Sequence, residues 1–239
     1  MSAFAAIRAR AELRKGGPEA LAELLPSVAG NVALAGVGDD RFLAEMTRRI
    51  FCAGFVWSVV DKKWPAFEEA FLGFDPARLC FEPDEFWEKL ASDARIVRHG
   101  AKIAAVRANA FFVARISREH GGFGAFLAKW PAGDQVGLQD FLAKNGARLG
   151  GMTGQYFLRF CGWDAFILSR DVVAALREVG VALSEKANSK RDLAAAQAAF
   201  AGWRAETGLP LVHLSRICAM SAGDNYDRET ILQRMNGDE

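Results

Sequence analysis

Apolar residues recur at helical spacing along most of the chain. Between Asp39 and Ile50, the apolar positions 42, 43, 46 and 50 share one face, and Asp39 and Asp40 are candidate N-caps. The same spacing predicts later helices over residues 100–118, 136–146, 152–161, 169–179, 190–207 and 210–220. No stretch alternates apolar with polar residues in the manner of a strand. We therefore predict an all-α fold of about ten short helices.

Composition narrows the class of protein. The chain has 239 residues, 51% of them hydrophobic, and a formal net charge of +1. This composition excludes disorder, and the charge balance excludes a nucleic-acid binder that depends on a diffuse basic field. An anionic partner would therefore have to meet a local basic patch.

Two stretches are basic and free of acidic residues. Residues 95–118 carry six cations and residues 141–163 carry three. Solvated helix faces and a surface that contacts phosphates both fit this pattern, and the sequence leaves the choice open.

The four cysteines, Cys52, Cys80, Cys161 and Cys218, are widely separated, as expected for free thiols in a reducing compartment. Residues 1–14 lack the unbroken apolar core and the cleavage site typical of a signal peptide, and no apolar run is long enough to cross a membrane. We predict a cytoplasmic, monomeric protein that does not interact with membranes.

A hairpin between two predicted helices is the sharpest local feature. One helix ends near Asn145, Gly150 and Gly151 permit a tight turn with positive φ, and the next helix begins at Met152 or Thr153. Backbone N–H groups at such a helix start suit a phosphate. The candidate DNA-binding residues are Lys144, Arg148, Gly150, Gly151 and Thr153. An ordinary connection between two helices is the alternative.

The residues after the hairpin strengthen the first interpretation. A helix, a short connection and Asp171 follow, and this order resembles the helix-hairpin-helix superfamily of DNA glycosylases. The resemblance implies a catalytic role for Asp171, although an acid after the N-cap Ser169 also stabilises a helix start. In bifunctional members a lysine precedes the hairpin threonine, but here the residue is Met152. A thioether cannot form a Schiff base, so the resemblance implies a monofunctional enzyme.

The N-terminal half resembles one family within that superfamily, the 3-methyladenine DNA glycosylase I family. The similar motifs are Ala-Gly-Phe-Val-Trp at 53–57, Phe-Asp-Pro at 74–76, Ile-Val-Arg-His at 96–99, and a helix with Lys102 and Asn109. The family's activity implies base flipping and hydrolysis of the N-glycosidic bond of alkylated, 3-methyladenine-like purines in double-stranded DNA, as a step of base excision repair, with no cofactor. Trp57 would stack on the extruded base, with Phe55 and Tyr156 beside it.

Two positions depart from the family pattern. Arg49 stands where the family has a glutamate that reads the base. Glu45 lies one helical turn earlier on a similar face and is the candidate base-binding residue in its place. Arginine would repel a cationic base. The family also binds zinc near its termini, but residues 1–41 contain no cysteine or histidine, so we predict no metal.

These features predict three regions. Residues 1–38 form an N-terminal helical extension, residues 39–223 a helix-hairpin-helix glycosylase domain of two lobes around a cleft, and residues 224–239 a C-terminal tail. A DNA-binding protein that senses lesions without catalysis, and a glycosylase for a different damaged base, are the alternative functions.

Overall fold

The computed structural model describes residues 2–236, and every element of regular secondary structure among them is helical. This confirms the predicted all-α class. The helices are α1 (Ala3–Lys15), α2 (Pro18–Glu23), α3 (Asp39–Cys52), α4 (Trp57–Ala70), α5 (Pro76–Leu79), α6 (Asp84–Ser92), α7 (Gly100–His120), α8 (Phe123–Lys129), α9 (Gln135–Asn145), α10 (Gly151–Phe160), α11 (Arg170–Glu178), α12 (Lys190–Thr207), α13 (Leu211–Ser221) and α14 (Arg228–Asn236). Two 3₁₀ segments, Asn31–Gly36 and Leu72–Phe74, complete the set.

The start of α3 differs in detail from the prediction. Gly38 is the N-cap, and Asp39 and Asp40 lie in the first turn. A carboxylate oxygen of Asp39 accepts a hydrogen bond from the backbone N–H of Phe123 at 2.8 Å, so this side chain joins α3 to α8. The prediction that these acids cap α3 is therefore wrong, although both still favour the helix dipole.

The described chain divides into two compact units. Unit 1 contains residues 2–28, 131–136 and 164–236, and unit 2 contains residues 29–130 and 137–163. In unit 1, Phe4 and Ile7 of α1 are buried with residues of α12 and α13. In unit 2, the rings of Trp64, Phe67, Phe71 and Phe74 form a continuous stack.

The first helix of unit 1 is tied to the segment that follows α13. Arg14 donates a hydrogen bond to the carbonyl of Gly223 at 2.7 Å, and Lys15 donates one to the carbonyl of Tyr226 at 2.7 Å. The predicted extension and tail thus share contacts within unit 1. The three-region division stays a prediction, and residues 237–239 of the tail lie outside the described residues.

The polar connection before α12 is organised around one carboxylate. Asp192 accepts hydrogen bonds from Ser184 and Ser189, in both cases from the backbone N–H and the hydroxyl. Ser189 in return accepts from the Asp192 N–H, which completes a capping box. These bonds hold the pKa of Asp192 well below its usual range.

Asp192→Asn is expected to lower the melting temperature at pH 7. A depressed carboxyl pKa stabilises the folded state above the pKa of the unfolded state, about 3.9, and this stabilisation is lost as pH falls through the folded pKa. The difference between the variant and the parent protein should therefore narrow below about pH 4. Thermal unfolding between pH 3 and 7 measures it, and a difference independent of pH would contradict the assignment.

Candidate nucleic-acid interface

The hairpin joins α9 to α10, within one residue of the predicted boundaries. α9 ends at Asn145, Gly150 is the N-cap of α10, and α10 begins at Gly151. Positive φ occurs at Arg148 and Gly151, both 58°, whereas Gly150 has a φ of −85°. The predicted positive φ is thus confirmed at Gly151 and wrong at Gly150.

The hairpin folds back closely on α10. Leu149 is buried between the two helices, and a Cβ added at Gly154 would collide with the Leu149 carbonyl oxygen. Only glycine permits this approach of turn and helix. The first turn of α10 is therefore held rigidly beside the hairpin.

Asn109 of α7 holds the hairpin through hydrogen bonds to its backbone. Its Oδ1 accepts from the backbone N–H of Ala147 at 2.7 Å, and its Nδ2 donates to the Ala147 carbonyl at 3.1 Å. Asn109 is fully buried, so this pair of bonds satisfies an amide that would otherwise be costly. Asn109 was named above only as part of a family motif. A polar residue among the buried apolar positions of α7 was the feature of the sequence that could have indicated this role.

Asn109→Ala should lower the free energy of unfolding by about 2–4 kcal/mol, because it leaves the N–H and carbonyl of Ala147 without these partners. It should also weaken DNA binding, because the hairpin loses its support. Asn145→Ala is a matched control, since Asn145 is an exposed asparagine of the same hairpin. Urea unfolding and fluorescence anisotropy measure both effects, and equal losses in the two variants would contradict the assigned role.

A second polar residue of α7, Lys102, supports the segment between α3 and α4. Its Nζ donates to the carbonyls of Phe51 at 3.0 Å and Ala53 at 2.7 Å and lies 4.4 Å from the centre of the Phe55 ring. Burial lowers the pKa of Lys102, and Arg148 acts in the same direction. Lys102, counted above among the basic residues 95–118 and named in a family motif, is thus buried and caps the C-terminal end of α3.

Aromatic side chains surround the start of α4. Trp57 is its first residue, and its ring centre lies 5.1 Å from that of Tyr156 and 5.9 Å from that of Phe160, both edge-on. The structure thus brings Trp57 and Tyr156 together. Phe55 is 42% exposed and contacts Lys102. Phe160 was not among the predicted residues, because its contact with Trp57 depends on how α10 packs against α4.

Arg49 lies inside this aromatic cluster. Its guanidinium carbon is 4.8 Å from the Trp57 ring centre and 4.1 Å from the Phe160 ring centre, and the residue is only 3% exposed. Its Nε forms an ion pair with Glu45 Oε1 at 2.7 Å. Burial raises the pKa of Glu45, whereas Arg49 and Arg48 act in the opposite direction. Glu45 is therefore engaged by Arg49.

A cavity of about 270 Å³ adjoins this cluster in unit 2. Glu45, Arg48, Trp64 and Phe160 contribute to its walls. Arg48 is held by Asp61, with Nε 2.8 Å from Oδ1. The cavity thus combines aromatic faces with paired charges.

The predicted DNA-binding residues at the hairpin are mostly accessible. Arg148, Gly150 and Gly151 are exposed, and Thr153 is half-buried. Lys144 is exposed but pairs with Asp140 at 2.6 Å. Arg148 makes no ion pair with any described residue, which makes it the cation of the hairpin best placed for a phosphate.

The basic stretch 95–118 is largely neutralised by acids that lie outside it, two in other helices and two directly beside it in sequence. Its ion pairs are Arg95 with Asp93 and Glu69, Arg107 with Asp84, and Arg115 with Glu119. With Lys102 buried, most of this stretch does not form a free basic surface. The absence of acids in a sequence window did not predict its charge in three dimensions.

Asp171 lies in unit 1, whereas the aromatic cluster and the hairpin loop lie in unit 2. It occupies the first turn of α11, after the N-cap Ser169, as predicted. Its side chain is 24% exposed and lines a cavity of about 130 Å³ with Arg216, Asp224 and Tyr226. Gly223 leaves room for it, since a Cβ there would collide with the carboxylate. Its catalytic role stays a prediction.

No group of three or more histidine, cysteine, aspartate or glutamate side chains among residues 2–236 is arranged to hold a metal ion. His213 instead forms a hydrogen bond with the carbonyl of Pro26 at 2.7 Å. Within the same described part of the chain, no helix is long and apolar enough to cross a membrane.

Comparisons with known proteins agree with the sequence motifs. Residues 35–142 match the family model described as methyladenine glycosylase. A stretch of 58 residues is 40% identical to DNA-3-methyladenine glycosylase 1 of Escherichia coli (strain K12), and covers 24% of this chain and 31% of that protein. The match thus spans less than a third of the curated relative. The resemblance to this family is confirmed over residues 35–142.

The chain is also similar to several solved structures of DNA glycosylases. A crystal structure of 3-methyladenine DNA glycosylase I has 26% identity and a TM-score of 0.46, and covers 53% of this chain and 80% of its own. The corresponding enzyme from Staphylococcus aureus has 23% identity and a TM-score of 0.47, with coverages of 53% and 77%. The 8-oxoguanine glycosylase/lyase of Methanocaldococcus jannaschii, in complex with DNA, has 15% identity and a TM-score of 0.46, with coverages of 78% and 83%.

Proposed function

From the methyladenine glycosylase pattern of residues 35–142, we propose that this protein is a monofunctional DNA glycosylase. It removes alkylated purine bases from double-stranded DNA as the first step of base excision repair. The observation that carries the proposal is the packing of Trp57 against Tyr156 and Phe160. Both partners belong to α10, so the stacking surface and the hairpin form one rigid part of unit 2.

Access to the base explains why these two parts must be joined. A base inside a duplex is unreachable, and rotating it out costs a few kcal/mol. An aromatic face that stacks on the extruded base recovers part of that cost, about 1–3 kcal/mol per base. The recovery is effective only if the backbone next to the base is held in register with the aromatic face.

The hairpin provides that hold. Exposed backbone N–H groups at Gly150 and Gly151, at the positive end of the α10 dipole, would bind one phosphate, with Arg148 beside them. Lys144 would join after leaving Asp140, and Thr153 lies in the same turn. Such contacts position the DNA without reading its sequence.

Asp171 is the proposed catalytic carboxylate. Breaking the bond between C1′ and the purine leaves positive charge on the sugar, and a carboxylate stabilises that charge. It also accepts a proton from the water whose oxygen bonds to C1′. The products are a free purine and an abasic site.

Met152 accounts for the monofunctional character. It is 39% exposed at the start of α10, where a bifunctional enzyme would carry its nucleophilic amine. A thioether cannot form an imine with C1′, so the strand stays intact.

One observation favours a second function, that of a DNA-binding protein that senses lesions without catalysis. The guanidinium of Arg49 lies over Trp57, on the ring that a base would stack against. If Arg49 never yields that position, the protein binds DNA and releases nothing.

Incubation with damaged duplexes separates these functions. One substrate is methylated duplex DNA, and the other carries a single 1,N6-ethenoadenine. We expect mass spectrometry to detect a free purine from at least one substrate, and strand breaks to form only after alkali. Tight binding without release would favour the second function, whereas strand cleavage without alkali would contradict the monofunctional assignment.

A further inference from the structure

We propose that Arg49 makes the aromatic cluster of Trp57, Tyr156 and Phe160 selective for uncharged alkylated purines that retain an acceptor such as N7. The same residue makes the cluster unfavourable to cationic purines. The inference rests on the proposed function and names its substrate class. Within this chain Arg49 is a specificity residue. Its contacts, burial, electrostatic surroundings and hydrogen bonding all point to this selectivity.

Arg49 already occupies the aromatic faces of the cluster. Arg49 places a planar cation against both Trp57 and Phe160. A cation over an aromatic face gains electrostatically, and a cationic base would draw on that same gain. Because the guanidinium of Arg49 already contacts these two rings, a second cation in the cluster is repelled by Arg49.

The charged side chains around Arg49 are already paired with one another. Arg49 pairs with Glu45, and the adjacent Arg48 pairs with Asp61. Glu68, the other acid that lines the cavity, pairs with Arg41, so each carboxylate of the cavity wall already has an arginine partner and is not available to a cationic ligand. Both Arg49 and Glu45 are largely buried, where charges are weakly screened and repulsion between like charges is strong.

Arg49 also has a hydrogen-bond donor that no described residue uses. The Nη1 group of Arg49 is buried and has no hydrogen-bond partner among the described residues. A buried donor without a partner is costly, so a ligand that supplies an acceptor gains by satisfying it. Arginine pairs well with the N7 and O6 acceptors of a purine.

Space for such a ligand lies beside two of the partners of Arg49, although Arg49 itself does not line it. The cavity of about 270 Å³ is lined by Glu45 and Phe160, the ion-pair partner and one ring partner of Arg49.

The chemistry of the leaving group agrees with this selectivity. A cationic purine leaves as a neutral molecule, whereas an uncharged purine takes the electron pair of the C1′–N9 bond and becomes negatively charged as it leaves. Donation from Arg49 to N7 or O6 stabilises that charge. The water oxygen bonds to C1′, and the proton lost by water ends on the purine, so the reaction balances.

Three duplexes that differ in one base test the proposal. They carry 1,N6-ethenoadenine or O6-methylguanine, which are uncharged, or 7-methylguanine, which is cationic and has no free N7. We expect the wild-type protein to release or bind the uncharged lesions at least about tenfold better than 7-methylguanine. Arg49→Gln should abolish that preference, and Arg49→Glu should reverse it.

Two further variants keep the test decisive. Arg107→Gln, which removes an exposed arginine paired with Asp84, should leave the preference unchanged. If the Arg49 variants fail to fold, as thermal unfolding would reveal, Glu45→Gln carries the test. It leaves Arg49 without its anion and should strengthen discrimination against 7-methylguanine.

Two readouts separate failure of this inference from failure of the proposed function. If no duplex loses a base, the proposed enzymatic function fails, and selectivity is judged from fluorescence anisotropy of the same duplexes. Equal or better binding of 7-methylguanine by the wild-type protein would overturn the role of Arg49, as would an unchanged preference in Arg49→Gln.

Discussion

Asp171→Asn is expected to reduce the rate of base release by about 100- to 1000-fold, the usual effect of removing a group that stabilises transition-state charge. The amide keeps the shape of the side chain but carries no charge and accepts no proton from water. Affinity for the damaged duplex should stay within about threefold, because the DNA-binding groups proposed here lie on the hairpin. Single-turnover kinetics and anisotropy measure the two quantities.

Asp224→Asn is the matched control for that experiment. Asp224 lines the same cavity as Asp171 but is largely exposed. We expect it to retain most of the activity. If both variants lost activity equally, the general negative charge of the cavity would matter and Asp171 would have no specific role.

The second large effect is expected for Trp57→Ala. Loss of the stacking surface should weaken binding of the damaged duplex by about 5- to 150-fold, which corresponds to 1–3 kcal/mol for one base. Binding of an undamaged duplex should change little, since no base is then held in the pocket. Anisotropy titrations of matched duplexes with and without the lesion measure the difference.

Trp57→Phe tests whether an aromatic face is sufficient. Phenylalanine keeps a ring at the start of α4, so most of the lesion preference should return. An equal loss for damaged and undamaged duplexes in Trp57→Ala would indicate a general folding defect, and thermal unfolding of both variants resolves that case.

Local patterns in the chain predicted helices and their ends well. The later helices begin and end within two residues of the predicted positions, and Gly121, with a φ of 79°, caps α7. Helical periodicity, capping residues and glycine conformations act over a few residues, so a single sequence contains them. The helix-hairpin-helix unit is local in the same sense.

Charge was predicted less well, because ion pairs join residues that are far apart in sequence. The cations of residues 95–118 stand in a window without acids, yet several meet carboxylates from other segments, such as Glu69 and Asp84. Arg148 of the hairpin is exposed, and its role in DNA binding stays a prediction.

The sequence alone determined the all-α class, the hairpin, the absence of a lysine at Met152 and the exchange of the family glutamate for Arg49, because each depends on residue type or short-range spacing. Only the tertiary structure decided that Asn109 forms two hydrogen bonds with Ala147, that Lys102 is buried and that Arg49 contacts the rings of both Trp57 and Phe160. These contacts join helices distant in sequence, and side chains choose such partners only when the helices pack.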